Sequence, residues 1–268
     1  MSELVDVGEL AQRRPAASVI AECLREQASV PPNTAVQRFF GVSPVGRAAE
    51  PWYVGALGEL EVARRLERLG DGWHVLHSVP VGTAGSDLDH VAIGPGGVFT
   101  INTKHHRGAS VWVGARRILV NGQRTDHLRN AEHEANRTAK LLSTATRMPL
   151  EATPVLAIVG ARRLTVRERP PRVVVLPADV LVRWLRRRPG VLAPEEVGRL
   201  VASAALPSTW GQSGGVVEAD HDAFERLRRE VGRARRRRMA WGGVVMAAAV
   251  AALVVAVGLA LGTLVGTA

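Results

Sequence analysis

The chain has 268 residues, of which 46% are hydrophobic and 4% aromatic, and its formal net charge is +10. This length and apolar content allow a sizeable core and exclude a disordered tail or a collagen-like repeat. The only cysteine, Cys23, excludes an intramolecular disulfide and a zinc ribbon, and we expect it to be buried as a small hydrophobic side chain.

The N-terminal fifty residues have no sharp periodicity. Residues 1–30 have mixed helical character, and segments containing Pro or Gly at 31–34 and 41–44 interrupt it. We predict a loosely attached N-terminal arm over residues 1–50. The first residues are polar and lack the apolar stretch of a signal peptide, so we expect no cleaved leader.

The pattern becomes regular from Pro51. Leu and Ala recur at helical spacing until Gly70, and five short β-like runs follow, separated by Gly or Pro. Helical spacing returns over 128–146, and two apolar, β-branched runs typical of buried strands come next. We predict a core over residues 51–146 and a C-terminal α/β extension of the soluble body over 147–206.

The C-terminal region divides into three segments by composition. Residues 207–222 resemble a flexible linker, residues 223–238 hold eight Arg against two Glu, and residues 239–267 carry no charge. The uncharged run exceeds the roughly 20 residues that cross a bilayer, and the Arg residues on one side assign that side to the cytoplasm. We predict a basic juxtamembrane helix, one transmembrane helix and a cytoplasmic N-terminal body at the cell membrane. A buried core helix is the alternative.

Polar side chains suited to catalysis concentrate on two neighbouring predicted strands. Asp87 and Asp89 share one face of the first strand, and Asn102 and Lys104 share one face of the second. Glu59, on the preceding helix, could add another oxygen ligand. Oxygen ligands of this kind suit Mg²⁺ or Mn²⁺, which can activate a water and neutralise charge on a phosphodiester. A solvated strand edge with ordinary charges is the alternative.

Three segments resemble the nuclease-related domain (NERD) family, a branch of the PD-(D/E)xK nuclease superfamily. They are GALGELEVARRL at 55–66, SDLDHVAIGPGGVFTINTK at 86–104, and the following helix with Asn130. The resemblance covers roughly residues 52–145. It implies an α/β fold of the restriction-endonuclease type, in which a mixed sheet is flanked by helices.

The same resemblance implies roles for individual residues. Glu59 and Asp89 would be metal ligands, Lys104 would position the attacking water and the scissile phosphate, and Asp87 is a further candidate ligand. The acidic position of the (D/E)xK tripeptide is Asn102, a neutral ligand, and the lost charge would weaken metal binding. Either another acid, such as Glu59 or Asp87, supplies the charge, or the domain binds nucleic acid without cutting it.

Together these features predict a membrane-anchored, Mg²⁺- or Mn²⁺-dependent phosphodiesterase whose partner is DNA rather than RNA. The alternative is a catalytically degenerate nucleic-acid-binding or scaffold protein at the membrane. Two other sites are conceivable: a transition-metal cluster of His90, His105 and His106, and a phosphate-binding surface formed by the nine Arg residues of 162–188.

Overall fold

The computed structural model describes residues 10–81, 86–211 and 219–265. Parts of the predicted arm (1–9), linker (212–218) and transmembrane helix (266–267) lie outside the described residues. In chain order the elements are α1 (Ala17–Gln27), α2 (Ala35–Phe40), α3 (Glu50–Leu66), β1 (His74–Val81), β2 (Ser86–Gly94), β3 (Gly97–His105), β4 (Ser110–Gly114), β5 (Arg117–Val120), β6 (Gln123–Thr125), α4 (His127–Thr146), β7 (Ala152–Val159), β8 (Arg163–Val166), β9 (Val174–Pro177), α5 (Leu181–Arg186), α6 (Pro194–Ala204), a short 3-10 helix (Pro207–Trp210) and α7 (His221–Val265).

A mixed five-stranded sheet, in the order β1-β2-β3-β7-β9, forms the centre of the first of two structural units. The first three strands pair antiparallel, whereas β7 and β9 each join in parallel. A parallel pairing needs a crossover connection, and α4 lies in the one between β3 and β7. The predicted mixed α/β architecture is confirmed.

Both faces of this sheet are covered, which explains why its strands are apolar without strict alternation. On one face, Val62 and Leu66 of α3 pack with Phe99 and Ile101 of β3. On the opposite face, the buried residues include Val91, Ile93, Leu142 and Leu200 from β2, α4 and α6. The helix predicted over 128–146 is confirmed as α4, and its buried residues recur at helical spacing: Leu128, Ala131, Ala135, Thr138 and Leu142.

A second, four-stranded sheet has the order β6-β5-β4-β8. The sequence pattern predicts β4 and β5 but gives no signal for β6 or β8. Both are short, half-exposed segments that carry Arg, and β8 is held by parallel pairing with β4. Such edge strands owe their conformation to the neighbouring strand rather than to their own composition.

The part of the predicted N-terminal arm that begins α1 is packed into the first unit rather than loosely attached. Ala17, Ile20 and Cys23 are buried at helical spacing, and the Ala17 N–H donates to Ser78 Oγ of β1 at 2.9 Å. Cys23 is buried as predicted, and burial raises the pKa of its thiol to about 11.

The second unit comprises Leu24–Glu50 and Asp220–Ala268, and its main elements are α2 and α7. The predicted juxtamembrane and transmembrane helices form one continuous helix, α7, which is long and apolar enough to cross a membrane. Its most apolar window has a mean hydropathy of 2.2 and is not buried inside the molecule. This apolar window of α7 is therefore not a buried core helix.

Candidate functional site

The hairpin of β2 and β3 opens at the candidate site. Their pairing ends at His90 opposite Ile101, although β3 continues beside β7 as far as His105. Backbone groups of β3 beyond this point need other partners. The Thr103 N–H donates to Asp89 Oδ2 at 2.6 Å. The carboxylate of Asp89 is thereby fixed beside the last residues of β3.

Close packing of α3 on β3 brings Glu59 to the same region. A Cβ atom on Gly58 would lie 2.9 Å from His105 Cβ and 3.3 Å from Thr103 Cγ2, so α3 approaches β3 at a residue without a side chain. His105 Nδ1 also lies 2.9 Å from the carbonyl oxygen of Val54 on α3. Glu59 follows Gly58 and is only 8% exposed.

The carboxylates of the site destabilise one another. Burial raises the pKa of Glu59 well above its usual range, and the charges of Asp89 and Asp87 raise it further, against Lys104. Burial also raises the pKa of Asp89 to about 6, although Lys104 and the Thr103 N–H favour its charged form. Acids that are costly to ionise in this way are stabilised by a bound cation.

A further acid, Glu134 of α4, lies at the site. Asn102 Nδ2 donates to both of its carboxylate oxygens, at 2.9 Å each. Burial raises the pKa of Glu134, whereas the Asn102 hydrogen bonds and Lys104 lower it. The sequence analysis missed this residue. The sequence does contain one indication of Glu134: it follows Ala131 by three residues, so it lies beside the apolar stripe of a helix that is expected to face the sheet.

Asp87 shares the strand face of Asp89 but has structural partners of its own. Arg13 Nη2 lies 3.4 Å from Asp87 Oδ2, and the Ser18 hydroxyl donates to the same oxygen in a short hydrogen bond. Burial raises the pKa of Asp87, and these two partners oppose the rise. Both lie more than sixty residues away, so no sequence spacing indicates them.

The three histidines considered for a transition metal make separate contacts. His90 Nδ1 lies 2.8 Å from His77 Nδ1 of β1, His105 contacts α3, and His106 Nε2 lies 3.2 Å from His127 Nε2 of α4. Among the residues that the structure describes, no group of three or more His, Cys, Asp or Glu side chains is arranged to hold a metal ion. The histidine cluster is therefore not formed.

The chemistry of the donor set nevertheless fits a hard divalent cation. The candidate donors are the carboxylates of Glu59 and Asp89 and the amide oxygen of Asn102. That Oδ1 atom is buried and has no hydrogen-bond donor within the described part of the chain. Mg²⁺ and Mn²⁺ take oxygen ligands of these kinds.

A cleft of about 350 Å³ opens between β2 and α4, and its acidic lining residues are Asp87 and Glu134. Arg129 and Arg137 supply positive charge to its wall, and Arg129 also pairs with Asp126 at 3.2 Å. The lining residues are Val81, Asp87, Leu88, Arg129, Asn130, His133, Glu134 and Arg137.

Part of the Arg-rich window 162–188 has structural partners. Arg186 Nε donates to the Leu69 carbonyl oxygen at 2.9 Å, and the guanidinium of Arg188 lies 4.3 Å from the ring centre of Trp184. These arginines hold α5 and its flanks in place.

Comparison with known proteins identifies one family. The family model described as nuclease-related domain matches residues 54–159, a span that includes Glu59, Asp89, Lys104 and Glu134. No curated protein and no solved structure is significantly similar to the chain. The matched segment contains most of α3, the β2–β3 hairpin, α4 and β7, which are the elements that build the site. Residues 54–159 of this chain therefore form a segment that matches the nuclease-related domain family.

Proposed function

We propose that the chain is a membrane-anchored nuclease that hydrolyses phosphodiester bonds of DNA with the help of Mg²⁺ or Mn²⁺. The observation that carries this proposal is the position of Glu59 and Asp89 beside the last residues of β3, where β2 and β3 separate, within the segment that the nuclease-related domain model matches. Lys104 lowers the pKa of Glu59, Asp89 and Glu134, Asp89 raises that of Glu59, and Glu134 raises that of Asp89, which supports a common electrostatic site.

Each residue has a distinct part in the proposed reaction. The carboxylates of Glu59 and Asp89 and the Asn102 Oδ1 atom would hold the cation. When bound, the divalent metal supplies an activated water and neutralises charge on the phosphate. The Lys104 ammonium binds a phosphate oxygen and orients the water, and its charge matters most in the transition state, where negative charge on the phosphate oxygens develops.

Glu134 supplies the negative charge that Asn102 lacks. Two hydrogen bonds from Asn102 Nδ2 hold this carboxylate beside β3. Its charge would add to those of Glu59 and Asp89, although the tripeptide itself contributes none, and the affinity of a site for a cation depends on that charge.

A second candidate function is nucleic-acid binding or scaffolding without cleavage. The observation that favours it is again the Asn102 amide, because its two hydrogen bonds occupy both oxygens of Glu134. A site closed in this way would bind a metal weakly. It would still offer the cleft arginines Arg129 and Arg137 to phosphates.

The membrane part of the proposal rests on α7. Its residues 239–256 are apolar and, apart from half-buried Trp241, exposed, and eight arginines precede them in the same helix. We propose that this segment spans the cell membrane and that the Arg-rich side, with the nuclease-related domain, is cytoplasmic.

A substrate screen tests the proposed activity. The full-length protein in nanodiscs is incubated with double-stranded DNA, single-stranded DNA or RNA, in Mg²⁺, Mn²⁺ or EDTA. We expect metal-dependent cleavage of DNA that Glu59→Gln abolishes. The matched control, Glu61→Gln on the same helix, changes a carboxylate that pairs with Arg65 at 2.6 Å and should leave cleavage intact.

The outcomes separate the two candidates. Nucleic-acid binding without cleavage in either metal would favour the scaffold. Cleavage of RNA alone would overturn the DNA assignment, and cleavage that persists in EDTA would overturn the metal-dependent mechanism.

A further inference from the structure

The short helix α2 presents apolar side chains to solvent. Val36, Phe39, Phe40 and Val42 are 65%, 57%, 49% and 44% exposed. Four large apolar residues exposed within seven positions are unusual on a surface that faces only water, since contiguous apolar patches mark interaction sites.

The end of α2 is attached to the backbone of α7. Gly41 ends α2 at φ +73°, and a Cβ atom there would clash with the Ala234 carbonyl oxygen and lie 2.6 Å from Arg238 N. Arg237 Nη1 donates to the Arg38 carbonyl oxygen at 2.9 Å. A residue with a side chain cannot replace Gly41 without moving the two helices apart.

This attachment fixes the position of α2 along α7. Trp241 Nε1 donates to the Phe39 carbonyl oxygen at 3.0 Å, and its ring lies 5.0 Å from that of Phe39 and 5.2 Å from that of Phe40, between centroids. Trp241 comes three residues after Arg238, where the uncharged part of α7 begins. Tryptophan at such a boundary lies in the headgroup region of a bilayer, so both phenylalanines share that depth.

A basic groove lies in the same unit, and Arg38 and Val42, at the end of α2, belong to its lining. Its volume is about 560 Å³, and four arginines line it against one acid, Glu230. The arginines are Arg38, Arg226, Arg233 and Arg237. A groove of this charge next to the exposed apolar side chains of α2 is complementary to anionic phospholipids, which attract basic residues.

We propose that α2 is a second membrane contact of this protein. Its apolar side chains insert into the bilayer boundary beside Trp241, and the arginine groove holds the headgroup of an anionic phospholipid. The inference rests on the proposed anchoring by α7 and adds to it. The bilayer is the occupant that the contacts favour, since the exposed residues adjoin the start of the apolar segment.

Depth-dependent quenching tests this proposal on the full chain in nanodiscs. Phe40→Cys carries a nitrobenzoxadiazole label, in a Cys23→Ala background, and Phe39→Cys provides a second position. The matched control is Gln123→Cys, an exposed residue of β6. We expect lipids with a nitroxide near the headgroup to quench labels at 39 and 40 at least threefold more than the label at 123.

The groove is tested by changing the lipid and the arginines together. Adding 30% phosphatidylglycerol to phosphatidylcholine discs should increase quenching at residue 40 when the phosphatidylglycerol itself carries the nitroxide. Arg226→Gln with Arg233→Gln should remove this increase. An equal increase in quenching in the parent chain and in the double variant would overturn the headgroup site.

Two further outcomes distinguish this inference from the anchor. Labels at 39 and 40 that are as weakly quenched as the label at 123, in chains that remain in the discs, would overturn the membrane contact of α2 and favour a protein partner. Chains that do not enter discs at all would instead overturn the anchoring by α7 on which the inference depends.

Discussion

Among single residues, Asp89 combines a hydrogen bond that holds β3 with a buried charge that is unfavourable for folding. It accepts the Thr103 N–H that β2 no longer pairs with, and burial raises its pKa to about 6. A carboxyl whose pKa is higher in the folded than in the unfolded protein destabilises the fold once it ionises. The cost begins near pH 4, where the unfolded residue titrates, and is complete above about pH 6.

Asp89→Asn should therefore stabilise the protein in metal-free buffer. Asparagine retains an oxygen for the Thr103 N–H and removes the buried charge. We expect a gain of about 1–2 kcal/mol at pH 7.5, which is a melting temperature higher by several degrees, and little gain at pH 4.5. Thermal melts at the two pH values measure this. An equal effect at both pH values, or one matched by the exposed control Asp71→Asn, would contradict the electrostatic account.

Asn102→Asp tests the neutral position of the tripeptide. The new carboxylate would face Glu134, so we expect a lower melting temperature without metal, because two acids then repel each other. Mn²⁺ should bind about tenfold more tightly, since the charge of the ligand set increases. Calorimetric titration with Mn²⁺ measures the change. Unaltered affinity would mean that residue 102 does not face the cation.

The grouping of polar residues on the two strands could be predicted from sequence, but the residues that contact them from other elements could not. Alternation along strands is enough to group Asp87 with Asp89 and Asn102 with Lys104. The contacts of Glu134, Arg13 and Ser18 depend on how α4 and the N-terminal segment pack on the sheet, and no local pattern encodes that packing. For this reason the sequence alone points to Glu59 or Asp87, and not to Glu134, as an acid that could compensate for Asn102.

At the scale of elements, predictability follows burial. The strands and helices of the main sheet bury regular apolar patterns, and these patterns predict them with boundaries shifted by a few residues. The helix predicted to reach Gly70, for example, ends at Leu66. The strands β6 and β8 lack such patterns, and α2 has its apolar residues outside. Its signal was instead the capping box between Thr34 and Gln37, which lies in a segment interpreted as an arm.

The contact of α3 with β3 can be tested at two glycines of one helix. Gly58→Ala would push against His105 and Thr103, so we expect a loss of about 1–3 kcal/mol and weaker Mn²⁺ binding, because Glu59 moves with the helix. Gly55→Ala meets nothing within 4 Å and should stabilise the helix by about 0.5–1 kcal/mol. Melting temperatures and Mn²⁺ titrations of both variants measure the difference. Equal behaviour would contradict the close approach.

At the scale of the whole molecule, positive charge is concentrated where the chain meets the proposed membrane. Residues 223–238 contribute a net +6 of the total +10, and the apolar residues of α7 follow directly. Composition alone predicts this arrangement, since it depends on no tertiary contact. Positive charge on one side of an apolar helix favours a single orientation in the membrane.

The anchor is tested by fractionation. The full-length chain should remain with membranes through carbonate extraction, whereas a chain ending at Gly215 should be soluble, because it lacks the apolar segment. Protease added to intact cells should not reach the N-terminal body. A full-length chain in the soluble fraction, or a body that is cleaved from outside, would contradict the anchor or its orientation.

Metal-dependent cleavage at this site can be tested by substituting each of the two lysines of the chain. DNA cleavage by the full-length protein in saturating Mn²⁺ is compared for the parent, Lys104→Ala and Lys140→Ala, the latter an exposed residue of α4. We predict that Lys104→Ala loses cleavage at least a hundredfold but retains Mn²⁺ binding, that Lys140→Ala matches the parent, and that Asp89→Ala loses both functions. Cleavage that survives in both Lys104→Ala and Asp89→Ala would contradict the account.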